Sequence, residues 1–322
     1  MAGSTAIDPV LVERFKVALD RLNPDGRRIG LAVSGGPDSM AMLLLAHAAI
    51  PGAFEVATVD HGLRPEAKDE CALVVAACEE RGVPCEVLRV QVGEGNVQAM
   101  AREARYDALG AWAGRAGIIA VATAHHADDQ AETLLMRLNR GSGVSGLAGV
   151  RRETSLEFGP EIALVRPLLQ FRRNELAAVI DRTQLAVVHD SSNRDERFDR
   201  VRIRQALARA DWLDPLAIAQ SAQHLADAEE ALETCARILW GERVHLDGES
   251  RTYTMDPHNG WEMDRRLAGR IIGSLGGRAR GSDVARLVER LSRGESGNLA
   301  GVLAEARGGK WVFRPEPPRK TG

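Results

Sequence analysis

The chain has 322 residues, enough for two domains or for one domain with an appendage. With 44% apolar and 27% charged residues and a net charge of −3, it has a globular composition and is not a general nucleic-acid coat. No apolar run approaches membrane-spanning length, and MAGSTAIDPVLVERF lacks a basic stretch followed by a continuous apolar one, so a cytoplasmic protein is expected.

The first two-thirds alternate strand-like and helix-like segments. A short apolar run at Ile29–Val33 leads into SGGPDS (34–39) and then into a helical pattern over 38–49. Gly35 and Gly36 allow a tight turn that presents N–H groups to an anion, and Ser34 and Ser39 add hydroxyls. The helix after Pro37 supplies the positive end of its dipole. The loop lacks the lysine of the common nucleoside-triphosphate loop and carries Asp38 instead. An aspartate repels bare phosphate, so the loop suits a pyrophosphate accompanied by a divalent cation on Asp38; an ordinary strand-to-helix turn capped by Asp38 is the alternative.

The next run, Phe54–Val59, ends in VDHGLR, and a helix is expected over 66–81. Cys71 and Cys78, seven apart, fall on one stripe of that helix; with Cys85 and Cys235 they form no metal or redox spacing and read as small packing residues. After an apolar run at Val83–Val90, a helix over 96–114 places Arg102 and Arg105 three apart beside Tyr106. Such a pair grips a carboxylate or phosphate, or else pairs with Glu103 or Asp107.

A run at Ile118–Thr123 ends in TAHHADDQAET, the start of a helix over 126–139. On a helical projection His125, Asp128, Asp129 and Glu132 fall within about a 100° arc, with Ala127, Ala131, Leu134 and Leu138 opposite. Three acids so close are unfavourable unless a cation sits among them, either a metal or an ammonium group; a solvated acidic face is the alternative. The glycines at 141, 143, 146 and 149 suit a mobile lid. The spacing of His125 and His126 does not match a permanent zinc site.

A last run at Ile162–Val165 precedes a helix over 172–182, and HDSSNRDERFDRVRIR then sets Arg200, Arg202 and Arg204 in alternation. Between Arg137 and Arg209 there are fourteen arginines, nine acids and no lysine, suited either to tracking an RNA backbone or to ordinary solvation. Continuous apolar strands alternating with helices predict an α/β fold, a doubly wound, mostly parallel sheet with ligands outside the carboxyl ends of its strands. SGGPDS, VDHGLR and TAHHADDQ all begin at such ends. The pattern changes near 212, which divides residues 1–212 from a linker helix over 213–240 and a smaller α+β domain reaching 322. The terminal RPEPPRKTG is expected to fray.

Taken together, SGGPDS, VDHGLRPEA (59–67), QAMAREARY (98–106), AHHADDQAET (124–133), RGSGVSGLAG (140–149), RPLL (166–169) and DSSN (190–193) resemble the tRNA(Ile)-lysidine synthetase family. That family belongs to the ATP pyrophosphatases with adenine nucleotide alpha-hydrolase-like folds. The resemblance is strong over roughly 25–210. It implies ATP-dependent adenylation of the wobble cytidine of tRNA(Ile) with a CAU anticodon, then attack by L-lysine to release AMP and form lysidine.

On that resemblance, Ser34, Gly35, Gly36, Pro37, Asp38 and Ser39 hold pyrophosphate, with Asp38 on Mg2+. Backbone near Ala32, Val59, His61 and Ala124 frames the adenosine. Asp129 and Glu132 receive the lysine ammonium, His125 and Asp128 complete the catalytic set, and Arg102 or Arg105 stabilises developing charge. The family's Arg-Asn before the last basic pair is Arg200-Val201 here, so no role is expected from that asparagine. Many members carry a further C-terminal domain, and the residues after 212 are expected to supply tRNA contacts in its place. No membrane partner is expected, and the sequence leaves a homodimer open. Competing readings are a tRNA thiolase, which needs paired cysteines, a glutamine-dependent synthetase, a non-catalytic nucleotide-binding module, and an arginine-rich RNA-binding protein without chemistry.

Overall fold

The computed structural model describes residues 7–62, 67–90, 97–156, 162–188, 199–256 and 258–316. Residues 63–66 of VDHGLRPEA, the DSSN stretch at 190–193 and the tail from 317 lie outside them. The chain divides into two compact units, Met1–Ala226 and Asp227–Gly322. Among the described residues no helix is long and apolar enough to cross a membrane.

The first unit opens with α1 (Pro9–Leu22), capped by the Asp8 carboxylate, which accepts from the Val10 N–H at 2.9 Å. There follow β1 (Ile29–Ala32), α2 (Pro37–Ala49), β2 (Phe54–Asp60), α3 (Ala67–Glu79), β3 (Cys85–Arg89), α4 (Val97–Arg115) and β4 (Ala120–Ala122). Then come α5 (Ala127–Leu138), α6 (Val144–Leu147), β5 (Glu153–Ser155), β6 (Ala163–Val165), α7 (Arg173–Thr183), α8 (Asp199–Arg209) and α9 (Pro215–Arg243). The division between the units falls inside α9, later than the composition change near 212.

Six strands form one sheet in the order β3-β2-β1-β4-β6-β5. All neighbours are parallel except β5, which pairs antiparallel with β6 at the edge. The strands of the parallel core match the apolar runs because a strand covered on both faces needs no polar alternation. β5 escaped that signal: Glu153, Thr154 and Ser155 are polar and lie at an edge.

α2 is apolar around nearly its whole circumference and buried from Ser39 to Ala46, packed between the sheet and α1 and α7. α4 packs with the strands in a second cluster, where Trp112 meets Ile118, Val121 and Leu164. Gly30 makes that approach feasible, since a Cβ there would lie 2.6 Å from the Trp112 ring. Cys71 and Cys78 are buried on α3, in keeping with their reading as packing residues.

The second unit carries an antiparallel sheet in the order β7-β8-β11-β10-β9, built from β7 (Val244–Asp247), β8 (Ser250–Thr254), β9 (Gly297–Leu299), β10 (Val302–Arg307) and β11 (Lys310–Pro315). Two helices, α10 (Gly260–Ser274) and α11 (Gly281–Ser292), share its core with Tyr253, Trp311 and Phe313. Arg266 of α10 is buried among Glu229, Glu233 and Glu262, so the part of α9 in this unit is tied to α10 by charge.

Candidate active site

SGGPDS joins β1 to α2 where the sheet changes direction between β1 and β4, the position at which open α/β sheets bind ligands. Gly35 has φ of 81°, and a Cβ on it would sit 3.3 Å from the Glu70 carbonyl oxygen. The turn therefore admits a side chain only with backbone strain. Gly36 is the extended N-cap of α2, and Pro37 is its first residue. The Ser39 hydroxyl accepts from Ser34 N–H at 3.1 Å and donates to Gly36 O at 3.0 Å, so it holds the loop in shape.

The loop is one wall of a cavity of about 820 Å³, within the usual range for small-molecule sites. Ala32, Ser34, Gly36, Pro37, Asp38 and Ser39 stand on that wall. Val59 and His61 arrive from the end of β2, and Ala124, His125 and Asp129 from the β4–α5 junction. Arg105 of α4 also reaches the cavity, as do Arg173, Arg200 and Arg204. Gly35, Arg102, Asp128 and Glu132 stand outside the wall. The Gly35 carbonyl accepts from Val188 N–H at 2.9 Å, which pins the loop from behind.

The acids of α5 are not equivalent, and the cation they require is guanidinium. Glu132 is 1% exposed and accepts from Arg204 Nε at 2.7 Å, Arg200 Nε at 2.8 Å and Arg173 at 3.1 Å. Burial alone would raise its pKa, but the bound Arg204 and Arg200 hold it at about 2, well below the ordinary carboxylate range. Glu132, expected to receive a lysine ammonium, is thus surrounded by three arginines in the fold. Asp129 accepts from Arg200 at 2.8 Å and still lines the cavity. Asp128 turns away and accepts the Arg173 N–H at 2.8 Å, which caps the start of α7.

Arg200, Arg202 and Arg204 are helical, not extended. On α8 Arg200 and Arg204 are one turn apart and grip α5, whereas Arg202 faces elsewhere and pairs with Asp199 at 2.7 Å. The projected helix face also changes: His125 precedes α5, Glu132 is buried, and Leu138 is 55% exposed. The glycines at 141–149 do not form an open loop. They fold around α6, with Arg137 donating to Gly146 O at 2.6 Å and Gln130 bonded twice to the Val150 backbone.

His126, weighed in the sequence only as a zinc ligand, is the hub beneath the cavity. It is fully buried and N-caps α5 in a reciprocal box with Asp129. Its Nε2 lies 3.4 Å from Asp38 Oδ2 and 3.5 Å from Asp129 Oδ2. Burial would lower its pKa, but the facing Asp38 and Asp129 charges outweigh that and hold it above the usual value. The signal that could have found it is the capping pattern, a polar residue three before an acid at a helix start. His125 behaves oppositely: burial and the nearby Arg166, Arg200 and Arg102 charges, against Asp129, bring it to about 4. It is a neutral donor and acceptor at pH 7, with Nδ1 3.1 Å from Thr123 Oγ1.

A parallel sheet with this loop at its switch point defines a nucleotide-binding domain of the PP-loop class, and a family model described as a PP-loop domain matches residues 10–211. The chain is 46% identical over 310 residues to the tRNA(Ile)-lysidine synthase of Novosphingobium aromaticivorans, covering 96% of this chain and 94% of that one. It is 39% identical to the tRNA(Ile)-lysidine synthase of Zymomonas mobilis, with 92% and 91% covered. The chain belongs to the tRNA(Ile)-lysidine synthase family. Its fold is also similar to the U34-tRNA thiolase NcsA from Methanococcus maripaludis with its [4Fe-4S] cluster, at 17% identity and a TM-score of 0.56, covering 68% of this chain and 81% of that chain.

Proposed function

We infer that this chain is an ATP-dependent ligase that joins lysine to carbon 2 of the wobble cytidine of tRNA(Ile) with a CAU anticodon, through an adenylated tRNA. Identity of 46% over 96% of the chain carries that reading. The cavity gives it a division of labour, because SGGPDS, Asp129 and Arg105 share one wall-bounded space.

The Ser34–Ser39 turn and the start of α2 take the polyphosphate, with backbone near Ala32, Val59, His61 and Ala124 around the adenosine. Among the described residues no group of three or more His, Cys, Asp or Glu could hold a metal by itself. Asp38 is a single, partly exposed carboxylate at the loop. That fits Mg2+, which usually takes one or two carboxylates and completes its shell with phosphates and water. Bound there, it would screen the charge of departing pyrophosphate. Arg105 stabilises negative charge on the reacting phosphate.

Asp129 is the acid of α5 that lines the cavity, and it receives the lysine ammonium before the amine loses its proton and displaces AMP. Glu132 and His126 are positioning residues: the first fixes Arg200 and Arg204, the second sets Asp38 and Asp129 against one imidazole nitrogen. Residues after 212 add tRNA contacts, for which exposed Arg278 and Arg280 ahead of α11 are suited. The test is incorporation of labelled lysine into unmodified tRNA(Ile) bearing CAU, with ATP and Mg2+ and with methionine tRNA as control. Label in the isoleucine tRNA alone supports the reading. Pyrophosphate release without label would require another nucleophile, and neither signal would leave only a nucleotide-binding module.

A further inference from the structure

Six arginines of the basic segment have acidic partners: Arg140 and Arg202 pair with Asp199, Arg172 with Asp214, and Arg173, Arg200 and Arg204 with the acids of α5. One group does not. Among the described residues no carboxylate pairs with Arg102, Arg105 or Arg166. Arg105 stands on the cavity wall, and the Arg102 guanidinium lies 4.9 Å from the centre of the Tyr106 ring. Arg166 is 5% exposed, donates to Arg151 O at 2.6 Å and reaches Thr154 Oγ1 only at 3.4 Å. Among the described residues its Nε has no hydrogen-bond partner.

A buried guanidinium held by a carbonyl, a weak threonine contact and the Tyr106 hydroxyl, with no carboxylate beside it, is costly. The nearby Arg102 charge raises that cost. Burial first, and the Arg102 charge against the opposing Tyr106, hold both Arg105 and Arg166 below their ordinary values, and the Arg166 and Arg102 charges help keep His125 neutral. The cluster is therefore the converse of the α5 acids. There the counter-ion is present in the fold; here it is missing, and its place suits an anion.

We propose that Arg102 and Arg166, flanking the cavity-wall Arg105, form a binding site for a phosphodiester of the RNA backbone, the one adjoining the nucleotide whose base enters the cavity. This rests on the tRNA-ligase reading above. Two phosphate sources exist, the RNA and the polyphosphate of ATP. The observations favour RNA, because the SGGPDS turn and the α2 N-terminus already provide the polyphosphate end. Moreover, Arg166 is supported from Arg151 and from Thr154 of the edge strand β5, next to exposed Arg152, so the basic track leads out of the cavity. A small nucleotide stays within the cavity, whereas an RNA strand must leave it.

The experiment measures binding of unmodified tRNA(Ile) across a salt series, and separately of ATP without tRNA, for Arg166→Gln and Arg102→Gln. Arg102 is exposed, so its substitution separates binding from folding. Each variant should weaken tRNA binding about tenfold, the scale of a lost charge-assisted contact. Each should also lower the slope of log affinity against log salt by roughly 0.7 to 0.9. ATP affinity should stay within about twofold of wild type, since no contact to ATP is removed. Arg166→Lys should restore the salt slope, because it keeps the charge. Weakened ATP binding with unchanged tRNA binding would assign the cluster to the polyphosphate and overturn the proposal. So would unchanged binding of both with lowered thermal stability, which would make Arg166 a packing residue. Failure of the wild type itself to bind this tRNA would refute the ligase reading instead.

Discussion

Glu132→Gln isolates the charge at the centre of the α5–α8 contact while keeping its shape. In the folded protein the carboxyl titrates at about 2 rather than 4.5, which corresponds to roughly 3 kcal/mol of stability at neutral pH. Its near-complete burial justifies using most of that value, although Arg200, Arg204 and Arg173 are partly solvated and reduce it somewhat. A depressed carboxyl pKa contributes fully above the unfolded value of 4.5 and loses that contribution as the pH falls through the folded value near 2. Urea unfolding should therefore show the variant about 3 kcal/mol less stable at pH 7, with the gap closing between pH 4.5 and 2. By calorimetry the same loss would lower the melting temperature by about 6–12 °C. Both half-reactions should also fall together, because Arg200 and Arg204 lose their anchor. A variant within about 1 kcal/mol of wild type at pH 7 would refute the argument that this carboxylate ties α8 to α5.

Asp129→Asn should behave differently: the apparent KM for lysine should rise at least about tenfold while tRNA-dependent pyrophosphate release stays near wild type, and equal loss of both would remove the ammonium from Asp129. Asp38→Ala should abolish pyrophosphate release with tRNA still bound, as shown by a binding assay run beside the release assay. Gly35→Ala, at φ of 81° and against the Glu70 carbonyl, should cost about 1–3 kcal/mol and weaken ATP binding; a stable variant with normal ATP affinity would show that the turn tolerates a Cβ. In the second unit, Arg266→Gln leaves Glu229, Glu233 and Glu262 without their shared cation and should cost about 3 kcal/mol in urea unfolding, whereas a near-neutral result would mean that those carboxylates find other partners.

Local chemistry made much of this protein legible. The apolar runs of β1, β2, β4 and β6 mark parallel strands because a strand buried on both faces must be apolar throughout, whereas β3 is an edge strand and largely exposed. SGGPDS announces its turn because glycine and proline have conformations that few other residues share. The placement of Ala32, Asp38, Val59, Ala124 and Asp129 around one cavity followed from motifs that all begin at strand ends. Strand β5 was not legible, since three polar residues at a sheet edge carry no periodic signal. Nor was the true depth of Glu132, because a helical projection shows which residues share a face but not what covers it.

What the sequence by itself determined is the sheet, the phosphate-binding turn and the inventory of charges. Which charges meet was decided only by the tertiary structure. Arg200 and Arg204 lie about seventy residues from Glu132, so no local spacing could distinguish a backbone-tracking stripe from a clamp on α5. The same holds for Arg166, whose lack of a carboxylate partner among the described residues is a property of its packed surroundings and not of its place in the chain. Coulomb energy depends on distance and burial in space, and chain order sets neither.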